Sequence, residues 1–389
     1  MVSAFAEELR QLRTQRGLSY RQLADLASCG KTQVNDLETD RRQPTATIAR
    51  ALDKALDANG RLTGILRTGS LPDEEESEIE AAELARRVSA SDVGPETLNR
   101  LERATDRMAM SYATTPPTML LPRVRRHLDY VTSLVDARKT LDQQRRLVTV
   151  GGWLSLLRAT LHIDLRQSAA ADAHLLTAEE MADQAGHREI AAWVLETRAW
   201  DALTTGDFRQ ALQLSRQAQV IAPRGSSALI QATEQEGRAW ARLGDRTHTS
   251  EVLGRIERLT ANRPAPEHPE HHYQYDPAKA RSYTATTLAW SGDPAAAIVA
   301  GEVITELKAD GARPRRMASA QLDLSLALLA AKKPDEAARA ASQAITPGRI
   351  VPSNWWRASE VMAGVLHSGV PEARELREEY ETFRPQPEA

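Results

Sequence analysis

Apolar residues recur at three- and four-residue spacing along the whole chain, and apolar–polar alternation never persists long enough to mark a strand. The pattern predicts an all-α protein. Five short helices fit the first 70 residues. The first runs from about Ser3 to Gln15, with Phe5, Leu9 and Leu12 on one face and Gly17 as its stop. Ser19-Tyr20-Arg21-Gln22 has the form of a capping box, in which a hydroxyl and an amide three residues apart satisfy each other's backbone N–H groups. It opens a second helix that buries Leu23, Ala24 and Ala27. Ser28-Cys29-Gly30 makes a turn, and Gly30 caps a third helix carrying Lys31 to Glu38. Thr39 to Pro44 is a loop, with Asp40 at a position expected to need left-handed backbone geometry. Thr45 then caps a fourth helix with Ile48, Ala51, Leu52 and Ala55 inward, and Leu62, Ile65 and Leu66 mark a fifth.

After residue 90 the helices lengthen and begin to repeat. Pro95–Tyr112 reads as a helix capped by Asp92 or Gly94, with Leu98, Leu101, Ala104, Thr105 and Met108 inward; Pro116-Pro117 ends that segment, and Leu120–Leu141 reads as the next helix. Leu195–Ala218 has the grammar of a helical hairpin: one helix ends near Thr204, Gly206-Asp207 turns, and a second packs Ala211, Leu214 and Ala218. The same grammar recurs at Ala239–Leu253, Thr286–Ile304 and Leu322–Ala344, with a weaker copy at Val148–Ala182. Successive turns lie 38, 48 and about 41 residues apart, within the range of helical solenoids.

Charge locates the boundary between these regions. The chain of 389 residues carries a formal charge of −3, too small to advertise nucleic acid globally. Residues 1–70 hold eleven Lys or Arg against eight Asp or Glu, whereas 71–83 hold seven acids and no base. The acid run thus conceals a modestly basic head, and Gly69–Glu80 reads as a solvated linker. The expected division is a five-helix head over 1–69, an acidic linker over 70–90 and a repeat domain over 91–389. Arginine supplies forty-three of the fifty basic residues, a bias that fits a GC-rich genome. Cys29 is the sole cysteine, which excludes an internal disulfide and any cysteine-based zinc cluster. Arg10, Arg13 and Arg16 interrupt what a signal peptide would need, and no apolar run approaches a membrane span. A cytoplasmic protein is expected.

Leu18–Pro44 (LSYRQLADLASCGKTQVNDLETDRRQP) resembles the helix-turn-helix of the xenobiotic-response-element family, with Ala24 at the helix crossing, Val34 and Leu37 in the core, and a basic pair before the proline. The resemblance implies a recognition helix lying in the major groove, its N-terminal side chains at base edges. By position, Lys31, Thr32, Gln33 and Asn35 become base readers, while Arg21, Arg41, Arg42 and the Tyr20 hydroxyl become phosphate contacts. The chain departs from the family pattern at Ser28, where glycine is usual, at Tyr20, where glutamine is frequent, and at Asp36, a carboxylate among the readers.

The hairpins resemble degenerate tetratricopeptide repeats. A repressor-type head joined to such repeats resembles a large class of bacterial regulators, including the peptide-responsive quorum-sensing family. Arg145–Leu154 (RRLVTVGGWL) and Tyr273–Tyr283 (YQYDPAKARSY) more closely resemble a helix-turn-helix–repeat group common in antibiotic-producing bacteria. Stacked hairpins leave a concave inner surface suited to a peptide or partner helix. Trp200, Trp240, Tyr275 and Trp290 are the candidate lining, although most of the tryptophans read as packing between repeats.

The segment His268–Asp276 (HPEHHYQYD) is the densest polar cluster. Three histidines with Glu and Asp have the chemistry of a divalent-ion site, but Pro266 and Pro269 hold the segment extended, and a solvated loop or groove rim is expected instead. No phosphate loop, nucleophile elbow or paired-carboxylate site is evident, so neither catalytic residues, metal nor cofactor is expected. The sequence therefore predicts a non-enzymatic, homodimeric transcriptional regulator that binds an operator and is controlled by a small molecule, peptide or protein in the repeats. The alternative is an adaptor or antitoxin-like protein whose DNA binding is autoregulatory.

Overall fold

The computed structural model describes residues 3–42, 44–68, 74–88, 93–261, 263–264, 266–309, 314–347 and 350–384. The chain divides into two compact units, Met1–Ala81 and Ala82–Ala389. Among the described residues every regular element is helical, and none is long and apolar enough to cross a membrane.

The first unit holds α1 (Ala4–Gln15), α2 (Tyr20–Leu26), α3 (Lys31–Glu38), α4 (Ala46–Leu56) and α5 (Arg61–Thr68). The start of each of the first four follows from a local cap. Ser3 and Thr45 accept the Ala6 and Ile48 amides, Ser19 and Gln22 form the reciprocal capping box, and Gly30 precedes α3 in extended geometry. Helix α5 begins at Arg61, and the Asp53 carboxylate accepts the Leu62 and Thr63 amides at 2.9 Å each. Phe5, Leu9, Leu23, Val34, Leu37 and Leu52 are all buried in one core, each contributing roughly 1.5–3 kcal/mol of transfer free energy.

The inner face of α4 is turned from the expected one. Ala49, Leu52 and Leu56 are fully buried, while Ile48, Ala51 and Ala55 are only partly covered. The true stripe follows the 52/56 and 49/52 spacings, which the periodicity leaves open for a helix this rich in alanine.

The acid run differs from a plain tether: it is helical from Glu74, as α6 (Glu74–Val88). Gly69–Asp73 of the expected linker and the candidate cap Asp92 lie outside the described residues, as does the side chain of Leu66.

The second unit continues with α7 (Pro95–Ser111) and α8 (Pro117–Val135), then six hairpins: α9 (Leu141–Asp164) with α10 (Ser168–Ala185), α11 (Arg188–Thr205) with α12 (Phe208–Ile221), α13 (Ser227–Arg242) with α14 (Arg246–Thr260), α15 (Pro277–Ser291) with α16 (Ala296–Ala309), α17 (Pro314–Ala330) with α18 (Pro334–Ile345), and α19 (Trp355–Ser368) with α20 (Glu372–Phe383). A short 3-10 turn, Pro352–Asn354, precedes α19. The expected helix Leu120–Leu141 is corrected: α8 stops at Val135, and Thr140 caps a new helix through a second capping box with Gln143.

The turn grammar has a consistent physical basis. Gly206, Gly244 and Gly292 each adopt positive φ to end the first helix of a pair. The Asp that follows accepts an amide at the start of the second, as from Asp207 to Gln210 at 2.9 Å and from Asp245 to His248 at 3.0 Å. First helices stack on first helices, with α11 touching α9 and α13, and α15 touching α13 and α17, so they form an inner layer and the second helices an outer one. The GG of RRLVTVGGWL serves this packing, since a Cβ on Gly152 would lie 3.2 Å from Ile190 Cδ1 of α11.

Candidate nucleic-acid interface and inner cavity

Helices α2 and α3 pack through Leu23, Ala24, Val34 and Leu37, which leaves their outer sides to solvent. Lys31 and Thr32, in the first turn of α3, are exposed; Gln33, Asn35 and Asp36 are half-buried. The first turn of α3 carries no acid, so its amide ends and Lys31 together favour an anion. Arg21 is exposed at the start of α2. Arg41 and Arg42 are exposed in the loop after α3, where their amides donate to the Asp36 carbonyl at 2.9 and 3.3 Å. The expected readers and phosphate contacts thus share the α2–α3 region. Tyr20 is the exception: its ring is half-buried beneath the Arg13 guanidinium, 4.3 Å from the ring centroid.

Arg13 also explains Glu38, a fully buried carboxylate. Arg13 Nε and Nη2 donate to its two oxygens at 2.6 and 2.9 Å, and Arg10 donates to the Glu38 carbonyl at 2.8 Å. Arg13 Nη1 reaches the Leu18 carbonyl at 2.9 Å. One guanidinium therefore fixes the end of α3 and the chain entering α2. Sequence reasoning gave Arg10 and Arg13 no such role; a lone Glu in the apolar face of α3 was the available signal. Ser28 sits in the left-handed region at φ 51°, as does Asp40 at 58°. Asp40 is held there by the Ser3 amide and hydroxyl, and the hydroxyl hydrogen bond keeps its carboxyl below the usual range.

In the second unit, the inner layer encloses a cavity of about 200 Å³. The far ends of the layer meet: Arg315 of α17 donates to Asp164 of α9 at 3.0 Å and to the Thr115 carbonyl at 3.3 Å. These contacts narrow the expected groove into a partly enclosed chamber. Its walls combine aromatic faces from Tyr112, Trp193, Trp200 and Tyr283 with charged groups.

The His268–Asp276 segment lies at the cavity wall, in line with the groove rim expected and not with a solvated loop. The His272 amide donates to the Ala109 carbonyl at 3.1 Å, and its ring lies 4.2 Å from that of Tyr112. Tyr273 is buried against Trp153 and Trp193. The Tyr275 hydroxyl donates to Glu234 at 3.1 Å, and Arg316 donates to Asp276 at 3.0 Å. Lys279 spends its three protons on the carbonyls of His271, His272 and Gln274. The aromatic residues of the segment drive it inward, while the basic residues of α15 and α17 satisfy its polar groups. Burial holds the His272 imidazole well below its ordinary value and pushes the Lys279 ammonium down to about 7. Among the described residues, no group of three His, Cys, Asp or Glu is arranged to hold a metal ion.

Of the expected lining, Trp200 reaches the cavity. Trp240 instead stacks on His248 at 4.4 Å, toward α14. Trp290 packs against Trp356 at 5.6 Å and Arg242 at 4.5 Å. Tyr275 is buried beside the wall, held through Glu234.

Among the wall residues that sequence reasoning missed, Gln231, Gln235 and Arg238 lie on α13. Gln231, Thr233, Glu234, Gln235, Glu236 and Arg238 are all buried. Six polar residues in eight positions of an inner helix were the signal, since a buried helix so polar must face a polar interior or a ligand. Gln235 donates to Glu196 at 2.6 Å, and burial raises the Glu196 carboxyl. Burial also pushes Glu234 up to about 8. Arg238 stacks on Tyr283 at 4.3 Å from the ring centroid.

Residues 4–63 match the family model of a helix-turn-helix domain. No curated protein matches the chain. Among solved structures the chain is similar to a Rap protein complexed with competence and sporulation factor, at 13% identity and a TM-score of 0.44, over 96% of this chain and 99% of that one. It is also similar to PlcR of Bacillus thuringiensis in complex with the peptide PapR7 and DNA, at 13% identity and a TM-score of 0.28, over 66% of this chain and 94% of that one. The chain is all-α, and a helix-turn-helix domain at its N-terminus precedes a solenoid of helical hairpins.

Proposed function

We propose that the chain is a sequence-specific DNA-binding transcriptional regulator whose repeat unit receives an effector that controls DNA binding. The observation that carries the reading is the exposed first turn of α3, with Lys31 and Thr32 outward and no acid within that turn, in a region that also holds Arg21, Arg41 and Arg42. The helix-turn-helix match over residues 4–63 supports it. Lys31, Thr32, Gln33 and Asn35 read base edges; Arg21, Arg41 and Arg42 contact phosphates, and Tyr20 adds its hydroxyl. One such helix reads few base pairs, so the working form is a homodimer on paired half-sites.

The chamber in the repeats suits the regulatory input because it is lined by buried polar groups whose burial is costly without a partner. An effector acts there only if it prefers one arrangement of the protein over another.

Selection of DNA from a random pool by the full chain, followed by footprinting, tests the reading. Lys31→Ala with Asn35→Ala should abolish the sequence-specific footprint while the helical signal of the repeats persists. An unchanged footprint would remove α3 as the reading helix.

A further inference from the structure

The chamber also says what kind of molecule fits it. We propose that it binds a small carboxylic acid with a flat apolar body, the carboxylate held by Arg238; this rests on reading the repeats as the effector-receiving unit.

Arg238 is 6% exposed and lines the cavity. Among the described residues no acceptor lies within hydrogen-bonding distance of its Nε or Nη2. A buried guanidinium with unmade hydrogen bonds is costly, and leaving such donors unpaired is rare in native folds. The other arginines of the wall are accounted for differently. Arg315 pairs with Asp164 and Arg316 with Asp276; Arg357 meets Asp323 as an ion pair, although its Nε and Nη2 also make no hydrogen bond. Arg238, which unlike Arg357 meets no carboxylate as an ion pair among the described residues, therefore offers an unspent planar fork, and a carboxylate matches that fork with two parallel hydrogen bonds.

The groups around Arg238 leave room for an added negative charge. Arg238, Lys279, Arg315, Arg316 and Arg357 line the chamber against the four carboxyl groups of Asp164, Glu196, Glu270 and Asp323. Glu234 is protonated at neutral pH, since burial pushes it up to about 8. Glu196 already accepts the Gln235 amide. The Gln235 Oε1 atom is buried without a donor, so it can take a hydroxyl or amine on the same ligand.

Size and wall set the rest of the molecule. About 200 Å³ lies below the roughly 300–1,000 Å³ of drug-sized sites. The inward-folded His268–Asp276 segment and the Arg315–Asp164 pair narrow the space, which favours a small molecule over an extended peptide. Trp193 and Trp200 line the cavity with flat rings on which an aromatic or conjugated body gains contact area.

Titration calorimetry of the full chain with benzoate and phenylacetate, beside benzamide and phenylacetamide, tests the proposal. At least one acid should bind saturably, with its amide weaker by roughly tenfold or more, and Arg238→Gln should abolish the preference. Comparing acid with amide on the unaltered chain needs no variant, so a misfolded Arg238→Gln does not blunt the test. Absence of saturable binding by both acids, equal binding of acid and amide, or a preference that survives in a folded Arg238→Gln protein would overturn it. Retention of the selected DNA is measured on the same preparation. Failure of both acids with DNA retained removes this site alone and leaves the reading of the head intact. Saturable acid binding that leaves DNA retention unchanged upholds the site and removes its role as the regulatory input.

Discussion

Arg315 Nη1 donates to Asp164 Oδ2 at 3.0 Å across 151 residues of chain, and the Tyr112 hydroxyl meets the same oxygen at 2.9 Å. The guanidinium also lies over the Tyr112 ring at 4.3 Å. Asp164 is buried, so the contact is more than a surface pair. It ties the fifth hairpin of the solenoid to the first and turns a curved layer into a chamber.

Breaking that tie from one side strands a charge. Arg315→Met leaves a buried carboxylate without this guanidinium, at an expected cost of about 3–5 kcal/mol. Adding Asp164→Asn should recover part of the loss, because the stranded charge disappears. Urea unfolding of both single variants and the double variant closes the cycle. A coupling energy near zero would show that the ends meet without help from this pair.

The head has its own buried pair. Glu38→Gln keeps the shape but removes the charge that Arg13 grips with two nitrogens. The expected loss is about 3 kcal/mol, and it reaches the interface, because Arg13 also holds the Leu18 carbonyl and covers Tyr20. Hydrogen exchange at the α2 and α3 amides should quicken while the repeats are unaffected. Unaltered exchange would reduce the pair to decoration.

Ser28 is expected to be improvable. It holds φ 51° at the turn between α2 and α3, a region where a side chain costs roughly 1–2 kcal/mol and glycine nothing. Ser28→Gly should slow exchange in the head by the equivalent of about 1 kcal/mol, less the extra freedom glycine has when unfolded. Faster exchange would mean that the serine makes a compensating interaction.

The parts of this protein that were legible in sequence are those fixed by local chemistry. Ser19 with Gln22, Gly30, Asp40 and the Gly-Asp turns each act within a few residues, so their spacing alone places the helix ends. Three kinds of feature were not legible. The Val135–Leu141 break rests on Thr140 and Gln143, a capping box in a polar stretch, Asp136 to Arg146, that reads equally well as one continuous exposed helix. The last hairpin, α19 with α20, lacks the Gly-Asp turn that marks three of the others. The chamber depends on pairs such as Arg315 with Asp164 and Tyr275 with Glu234, whose partners lie far apart in the chain. Trp240 and Trp290 illustrate the same limit: helical spacing gives a residue's face, while only tertiary packing says whether that face turns inward to the chamber.

Arg41 and Arg42 are assigned to phosphates, so they should weaken binding on every sequence and not on the operator alone. Arg41→Ala with Arg42→Ala is expected to flatten the plot of log affinity against log salt by about two, at roughly 0.9 per phosphate released. Retention assays across a salt series, on selected and on random DNA, provide the slopes. An undiminished slope would assign both side chains to solvent.

The buried carboxyl of Glu234 should leave a signature in pH. Burial pushes it up to about 8 from an ordinary 4.5, with Arg238 and the Tyr275 hydroxyl only partly opposing the shift. Below about pH 4.5 the folded and unfolded chains both hold the proton. Between about 4.5 and 8 the unfolded chain releases it while the folded chain keeps it, so this group's contribution falls as pH rises, then levels off above 8. Glu234→Gln removes the titration while preserving an acceptor for Tyr275. The variant should gain stability relative to the parent, by nothing at the acid end and by on the order of a few kcal/mol near neutrality. Urea midpoints from about pH 5 to about pH 8 should therefore diverge steadily. Parallel curves would mean that Glu234 is ionised throughout, and that the positive charge of Arg238 is answered from within the fold.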